Sequence, residues 1–319
     1  MQRIASNVLV TGSAGFIGLP VVEQFSQRGA QVVALDLVAP ERTVDGVETI
    51  TGDYRDASGL KTLIEKHRID TIVHAGGISG PMLARDTPML VCEANVIGTI
   101  RLLEAARAGK VQRFVYCSSA MAFGNTPPAP VPDNAPLEAH DLYGASKGAS
   151  DLLLRAYRAQ YGLDAVSLRI SNAYGPRRRT RCAIKTMIEN ALDGVPTDMT
   201  WGLGYGRAYL YIDDAVAAII AAACAERLPQ WAYNIAGAQF AMMEEIAAIV
   251  RELVPGARIT MQPGVDGLGY RREALDISAA ARDLDWVPRF SIEQGIAAYL
   301  DWIVGQRRAQ GTAAAKEAT

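Results

Sequence analysis

Cysteine and histidine are scarce in this chain of 319 residues, at four and three respectively. Cys92, Cys117, Cys182 and Cys224 lie far apart and lack metal-ligand spacing, which points to reduced, buried thiols in a cytosol rather than to disulfides. His67 falls on a polar helical stretch, His74 ends an apolar run and His140 sits in a loop, a pattern that argues against a histidine metal site or triad. Neither sign of charge is in excess. The formal net charge of −2 gives no reason to expect nucleic acid or an anionic membrane as a partner. No apolar run reaches the roughly eighteen residues of a membrane-spanning helix, and the first strand pattern begins near Asn7, too early for a signal peptide to precede it. The expectation is a cytoplasmic protein. With 50% apolar residues, the chain can bury a large core in one enlarged domain or two unequal ones.

What the chain does carry is a glycine-rich turn in a specific setting. The apolar run Asn7-Val8-Leu9-Val10-Thr11 reads as a buried strand and leads into Gly12-Ser13-Ala14-Gly15-Phe16-Ile17-Gly18. A helical pattern over 19–28 ends at Gly29, and 31–36 reads as a second strand closed by Asp36, eighteen residues past Gly18. Gly12 suits a tight turn, Gly15 lets backbone approach a pyrophosphate, and Gly18 permits close helix–strand packing. Gly12, Gly15, Phe16, Ile17 and Gly18 are therefore candidate dinucleotide contacts. Asp36 would accept hydrogen bonds from the adenosine ribose and repel a 2′-phosphate, so NAD is favoured over NADP.

Strand and helix patterns then alternate. Further strands are expected over 47–52, 71–74, 113–117 and 165–170, with helices over 57–67, 88–108 and 143–161. This alternation implies an α/β fold built on a doubly wound parallel sheet, in which ligands bind beyond the C-terminal strand ends. Asp53, Ala75-Gly76-Gly77, Ser118-Ser119 and Ser171-Asn172 all fall at such ends.

Tyr143 and Lys147 are four residues apart on a predicted helix and so share one face. A cation close to a phenol favours the phenolate, which suits proton transfer nearer neutral pH. Ser119 ends the strand before them, twenty-four residues ahead of Tyr143. Folding that unites the three gives a serine able to bond a substrate oxygen, a tyrosine able to exchange its proton, and a lysine able to hold a nicotinamide ribose. Ser119, Tyr143 and Lys147 are the candidate catalytic residues.

Taken together, Thr11 to Gly18, Asp36, Asp53, His74-Ala75-Gly76, Asn95, Ser118-Ser119, Tyr143 with Lys147, and Asn172-Ala173-Tyr174-Gly175-Pro176 resemble the extended short-chain dehydrogenases/reductases, the NAD-dependent epimerase/dehydratase family. The resemblance covers about residues 7–304. It implies a Rossmann domain over 1–175, to which segments at about 207–237 return, a smaller, mainly substrate-binding domain over 176–304, and a flexible tail over 305–319. It also implies that Asp53 and Tyr54 contact adenine, that Ala75, Gly76 and Gly77 face the dinucleotide, and that Asn95 belongs to the cofactor end of the sheet. Asn172 and Arg207 would bind substrate, Arg207 by holding a diphosphate. A homodimer through the helices at 88–108 and 143–161 is the family expectation, although those faces could equally be covered within one chain.

The same resemblance narrows the reaction. Family dehydratases place Asp or Glu just after the catalytic Ser or Thr, where this chain has Ala120 and Met121. The Arg-x-x-Asp element of many relatives is also missing, with Gly264-Val265-Asp266-Gly267-Leu268-Gly269 in its place. Arg177, Arg178, Arg179 and Arg181 form a basic loop suited either to an anion or to solvent. The leading expectation is a nucleotide-sugar 4-epimerase. An NAD-dependent dehydrogenase of a free sugar, sugar acid or related alcohol is the alternative, and a non-catalytic dinucleotide sensor a remote third.

Overall fold

The computed structural model describes residues 3, 5–83, 85–127, 130–266, 270–271 and 273–317. Its main sheet has seven strands in the order β10-β6-β5-β4-β1-β2-β3. These are β1 (Asn7–Thr11), β2 (Gln31–Asp36), β3 (Glu48–Thr51), β4 (Thr71–His74), β5 (Arg113–Ser119), β6 (Ala165–Ile170) and β10 (Ala232–Ile235), and every pairing is parallel. The expected doubly wound sheet is present. Strand order reverses between β1 and β4, which opens a crevice at their C-terminal ends.

Side-chain alternation along the strands divides the core in two. Val8, Val10, Val115 and Val166 face α1 (Gly18–Gln27) and α7 (Ile212–Cys224), where Val21, Val22, Phe25 and Ile219 are buried. Leu9, Ile72, Phe114 and Tyr116 face the other way, against Leu60 and Leu63 of α2 (Ala57–His67), Leu102 and Leu103 of α4 (Gly98–Ala108), and Leu154 of α5 (Leu142–Tyr161). Asp141 starts α5 by accepting a bond from the Gly144 amide, and Gly162, at φ 68°, ends it.

The single helix expected over 88–108 is α3 (Pro88–Val91), a π-helical stretch Cys92–Ile97, and α4. The wider turn contains Asn95, whose carbonyl accepts from the Thr99 and Ser150 hydroxyls. Side-chain bonding to the backbone locally replaces the regular ladder there.

Beyond β6 lie β7 (Asn172–Tyr174), α6 (Ala183–Leu192), β8 (Thr197–Leu203), β9 (Gly206–Tyr211), β11 (Phe240–Met242), α8 (Met243–Leu253), β12 (Ile259–Pro263), α9 (Ser278–Leu284) and α10 (Ile292–Glu317). They make a three-stranded sheet, β11-β9-β7, and a two-stranded pair, β12-β8. Residues 305–317, expected as a tail, continue α10 as helix. Arg307 pairs with Asp193 at the end of α6 (2.6 Å), and the alanine-rich end has high helix propensity, so the helix propagates without an apolar face. Ala318 and Thr319 lie outside the described residues.

A buried ion pair joins α5 to β6. Asp151 and Arg169 meet at 2.7 Å with side chains at 0% and 1% exposure, and Ser167 also donates to Asp151. Arg169→Met should therefore destabilise the protein by about 3–5 kcal/mol in urea unfolding, because it strands a buried carboxylate, and adding Asp151→Leu should recover most of that loss.

Candidate active site

The glycine turn sits at the crevice because no side chain fits there. A Cβ on Gly12, whose φ is +69°, would lie 2.5 Å from the Gly76 Cα, and one on Gly18 would lie 2.0 Å from the Gly12 carbonyl oxygen. The ends of β1 and β4 and the start of α1 thus meet backbone to backbone. The first turn of α1 carries no acidic residue and no side-chain cap, so its amides are placed for an anionic group. Asp36 closes the turn from β2, with its carboxylate accepting from the Ala14 amide (2.9 Å) and the Val38 amide (3.2 Å). This cradle fits a dinucleotide pyrophosphate. Arg42, the nearby cation that could have served a 2′-phosphate, is paired with Glu23.

Next along the crevice, Asp53 is held by Arg55 (2.7 Å), whose hydrogen bond lowers the carboxyl pKa below its ordinary value. Two residues expected at this end of the sheet, Tyr54 and Asn95, are bonded within the protein. Tyr54 is buried under Gly76 and Gly98, its hydroxyl donates to the Ala94 carbonyl (3.1 Å), and burial pushes its phenol up to about 12. Its ring supports the crevice from below. Asn95 accepts from the Ile78 amide (2.8 Å) and donates to the Ile78 carbonyl (3.0 Å) and the Ser146 hydroxyl (2.9 Å), which uses up its side chain. It holds the loop after Ala75, Gly76 and Gly77 against α5 and acts as a positioning residue. Both sets of contacts have one cause: a large ring and a bidentate amide satisfy buried neighbours that spacing alone does not reveal.

Sequence reading also left His74 without a role. It is fully buried, with Nδ1 2.7 Å from the Thr11 hydroxyl and Nε2 3.0 Å from the Thr99 hydroxyl. Thr99 spends its proton on the Asn95 carbonyl (2.6 Å), so it accepts from Nε2–H, and Nδ1 accepts from Thr11. A neutral imidazole thereby ties β1, β4 and α4 together beneath the crevice.

Lys147 reaches the strand that ends in Ser119. Lys147, on α5, donates to the Cys117 carbonyl (2.8 Å) and lies 4.7 Å from the Tyr116 ring centroid. Burial works against its charge, but Tyr116, Tyr143 and Cys117 outweigh that, and the ammonium pKa is raised. The Cys117 thiol, pushed up to about 12 by burial, is inert at neutral pH. Ser119 caps the turn Ala120–Phe123 by accepting from the Met121 amide (3.1 Å), which leaves its proton to donate. Tyr143 borders a cavity of about 200 Å³ shared with Pro81, Leu83, Arg85, Val91, Asp141 and Leu142. The structure therefore gathers Ser119, Tyr143 and Lys147 at the strand ends beside the glycine turn.

Asn172 and Arg207 come together on adjacent strands, β7 and β9, with Arg207 Nη1 donating to Asn172 Oδ1 (3.2 Å). Arg207 also donates to the Tyr205 hydroxyl (3.0 Å from Nη2, 3.2 Å from Nε) and pairs with Asp266. Gly267, Leu268, Gly269 and Arg272 lie outside the described residues. Three arginines of the basic loop are engaged within the protein: Arg177 pairs with Glu23 (3.1 Å), Arg179 with Glu41 (2.6 Å), and Arg178 donates to the Ala173 carbonyl. Among the described residues there is no metal-binding cluster, and no helix is long and apolar enough to cross a membrane.

A parallel sheet with a glycine cradle at its switch point and a Ser–Tyr–Lys set beside it defines a dinucleotide-dependent short-chain redox enzyme. The chain belongs to the NAD dependent epimerase/dehydratase family, whose model matches residues 8–236. It is 30% identical to a dTDP-glucose 4,6-dehydratase of Xanthomonas campestris pv. campestris, covering 95% of each chain, and 31% identical to a UDP-glucose 4-epimerase of Mycolicibacterium smegmatis, covering 91% of this chain and 96% of the relative. In structure it is similar to the Thermus thermophilus UDP-glucose 4-epimerase complexed with NAD, with a TM-score of 0.82, 29% identity, and coverage of 93% of this chain and 99% of that one.

Two measurements test the cradle. Asp36→Asn keeps an acceptor for Ala14 but removes the charge, so it should narrow the preference for NAD over NADP by about tenfold in calorimetric titration. Burial lowers the His74 pKa well below its ordinary value of 6.5. Below that value the unfolded chain binds a proton that the folded chain excludes. The His74 contribution is therefore intact above about pH 6.5 and is lost as pH falls, by at most ~1.4 kcal/mol per unit. The thermal midpoint should drop between pH 7 and 5, and less so in His74→Asn.

Proposed function

We propose that the protein oxidises a sugar carbinol reversibly, and that the reaction is 4-epimerisation of a nucleotide sugar. The observation that carries the reading is the placement of Ser119, Tyr143 and Lys147 at the strand ends next to the Gly12–Gly18 cradle. The cradle would hold the NAD pyrophosphate, Asp36 the adenosine ribose, Asp53 the adenine edge and Lys147 the nicotinamide ribose. When bound, NAD supplies a reversible hydride acceptor. Ser119 donates its proton to the carbinol oxygen and orients it. Tyr143 takes the carbinol proton and returns it, and the Lys147 ammonium, kept charged and fixed by Cys117, stabilises the phenolate between these events.

The residues after Ser119 set the outcome. Ala120 and Met121 offer no second acid, so loss of water from a neighbouring carbon has no proton donor there, although dehydratases are among the relatives. Reversible oxidation without elimination is the chemistry these side chains support. A specific contact favours a second reading, NAD-dependent dehydrogenation of a free sugar or sugar acid. Arg207, the candidate diphosphate ligand, is already neutralised by Asp266, and a diphosphate arriving there meets a carboxylate. Arg85 beside Tyr143 offers a cation on the other side of the cavity.

The decisive assay incubates the full chain with UDP-, dTDP- and GDP-sugars and with aldoses and aldonates. Epimerisation predicts interconversion of a nucleotide-sugar pair without net NADH. Dehydrogenation predicts a stoichiometric rise at 340 nm and no calorimetric binding of UDP. Tyr143→Phe should cut either activity by about 10²–10⁴-fold; undiminished turnover would refute the proton-carrier role.

The exposed Met89, Ile97, Leu142, Leu152 and Tyr161 lie on α3 to α5, which supports pairing of two copies through these helices. Scattering should give about twice the 34.2 kDa chain mass, and Leu152→Glu should reduce it to the monomer value.

A further inference from the structure

Tyr270 lies between Arg207 and the start of α5, with its hydroxyl and its carbonyl both hydrogen-bonded. Its hydroxyl accepts from the His140 amide (2.8 Å) and the Asp141 amide (2.7 Å), and donates to Asp141 Oδ2 (2.6 Å). The directions are forced, because amides can only donate and a carboxylate can only accept. Burial raises the Tyr270 phenol pKa, so it keeps that proton. Asp141 Oδ1 in turn caps α5 at Gly144 (2.9 Å), one residue past Tyr143. Gly144 packs so closely on the turn after Ser119 that a Cβ there would fall 2.5 Å from the Met121 carbonyl oxygen. The Tyr270 ring completes a buried cluster with Met121 and Tyr143, and stacks on His140 at 6.0 Å.

The other side of Tyr270 leads to Arg207. Tyr205 accepts both the Nε and Nη2 donors of Arg207, so its own proton is directed to the Tyr270 carbonyl, 3.0 Å away. Arg207 and Tyr205 thus hold the Tyr270 backbone, and the Tyr270 ring carries that placement to its hydroxyl, which bonds Asp141 at the start of α5. Each hydroxyl has a single proton, already committed, so a shift of the Tyr270 backbone is passed to the Asp141 cap through the Tyr270 side chain.

We propose that Tyr270 is a positioning residue that couples occupancy of the Arg207 subsite to the placement of Tyr143 against Ser119. A substrate group that draws Arg207 off Tyr205 frees a lone pair on that hydroxyl. Tyr205 can then turn away from the Tyr270 carbonyl, and the cap of α5 shifts with it. The proposal rests on the reading of Tyr143 as proton carrier, but not on which sugar is bound.

Hydrogen exchange read by mass spectrometry on the full chain with NAD present tests the coupling without requiring turnover. Tyr270→Phe removes the acceptor of two amides and should speed exchange over residues 139–146 by about fivefold, the value of one hydrogen bond. Tyr205→Phe leaves that segment's own bonds intact, yet should speed its exchange at least about twofold, with β1 to β4 unchanged. Unaltered exchange over 139–146 in a folded Tyr205→Phe protein would overturn the coupling, and this variant decides the matter even if Tyr270→Phe fails to fold. On a sugar that passes the turnover panel, Tyr270→Phe should lower kcat about tenfold with KM within about twofold. A raised KM with kcat unchanged would make Tyr270 a binding residue and sink the positioning role. Full activity of Tyr143→Phe would instead remove the underlying reading, whatever the exchange shows.

Discussion

The Lys147 ammonium donates to the Cys117 carbonyl across the contact between α5 and β5, and the placement of α5 on the sheet depends on that bond. An ammonium with 6% exposure is costly to bury, and it is tolerated here because a carbonyl and the face of Tyr116 receive it. In return, it fixes the register of α5 on the sheet. Tyr143, one helical turn earlier, is then held beside the strand end that presents Ser119. In the proposed mechanism the same contact keeps a positive charge where the Tyr143 phenolate would form, so one ammonium would serve both packing and proton transfer.

Around this point the site is built on backbone contacts rather than side-chain ones. Gly12 against Gly76 and Gly18 against Gly12 bring β1, β4 and α1 closer than any Cβ allows, and His74 and Asn95 hold the crevice from beneath. The far end of the cleft is polar and internally compensated. Arg207 is surrounded by Tyr205, Asn172 and Asp266, so any anion arriving there would exchange with existing partners rather than fill an empty charge. Selectivity at that end is a difference between two sets of hydrogen bonds, and small changes in either set alter it.

Much of this was legible in the primary structure. Apolar runs and helical patterning placed the strands and helices of the first half, with β2, β4, β6 and α2 at the expected bounds. The glycine spacing and the Tyr–Lys interval are local, and local geometry follows from sequence. Less legible were residues whose partners lie far along the chain. Tyr54 is expected at the adenine, and the spacing gives no sign that its hydroxyl would bond the Ala94 carbonyl forty residues on. Tyr270 and Asp266 lie on a segment without periodicity, and nothing in their neighbours indicates that Asp141 and Arg207 will meet them.

The chain by itself determined the alternating architecture, the phosphate-binding turn and the chemical types available at each strand end, because all three depend on backbone preference and short-range spacing. The tertiary structure decided which of those groups are free to act. Burial and long-range hydrogen bonding spend Asn95, Tyr54, Arg42 and the basic loop on the protein's own needs, and they leave Ser119, Tyr143 and Lys147 together at the crevice. A polar side chain has a limited number of donors and acceptors, and only the folded chain shows how many are already used.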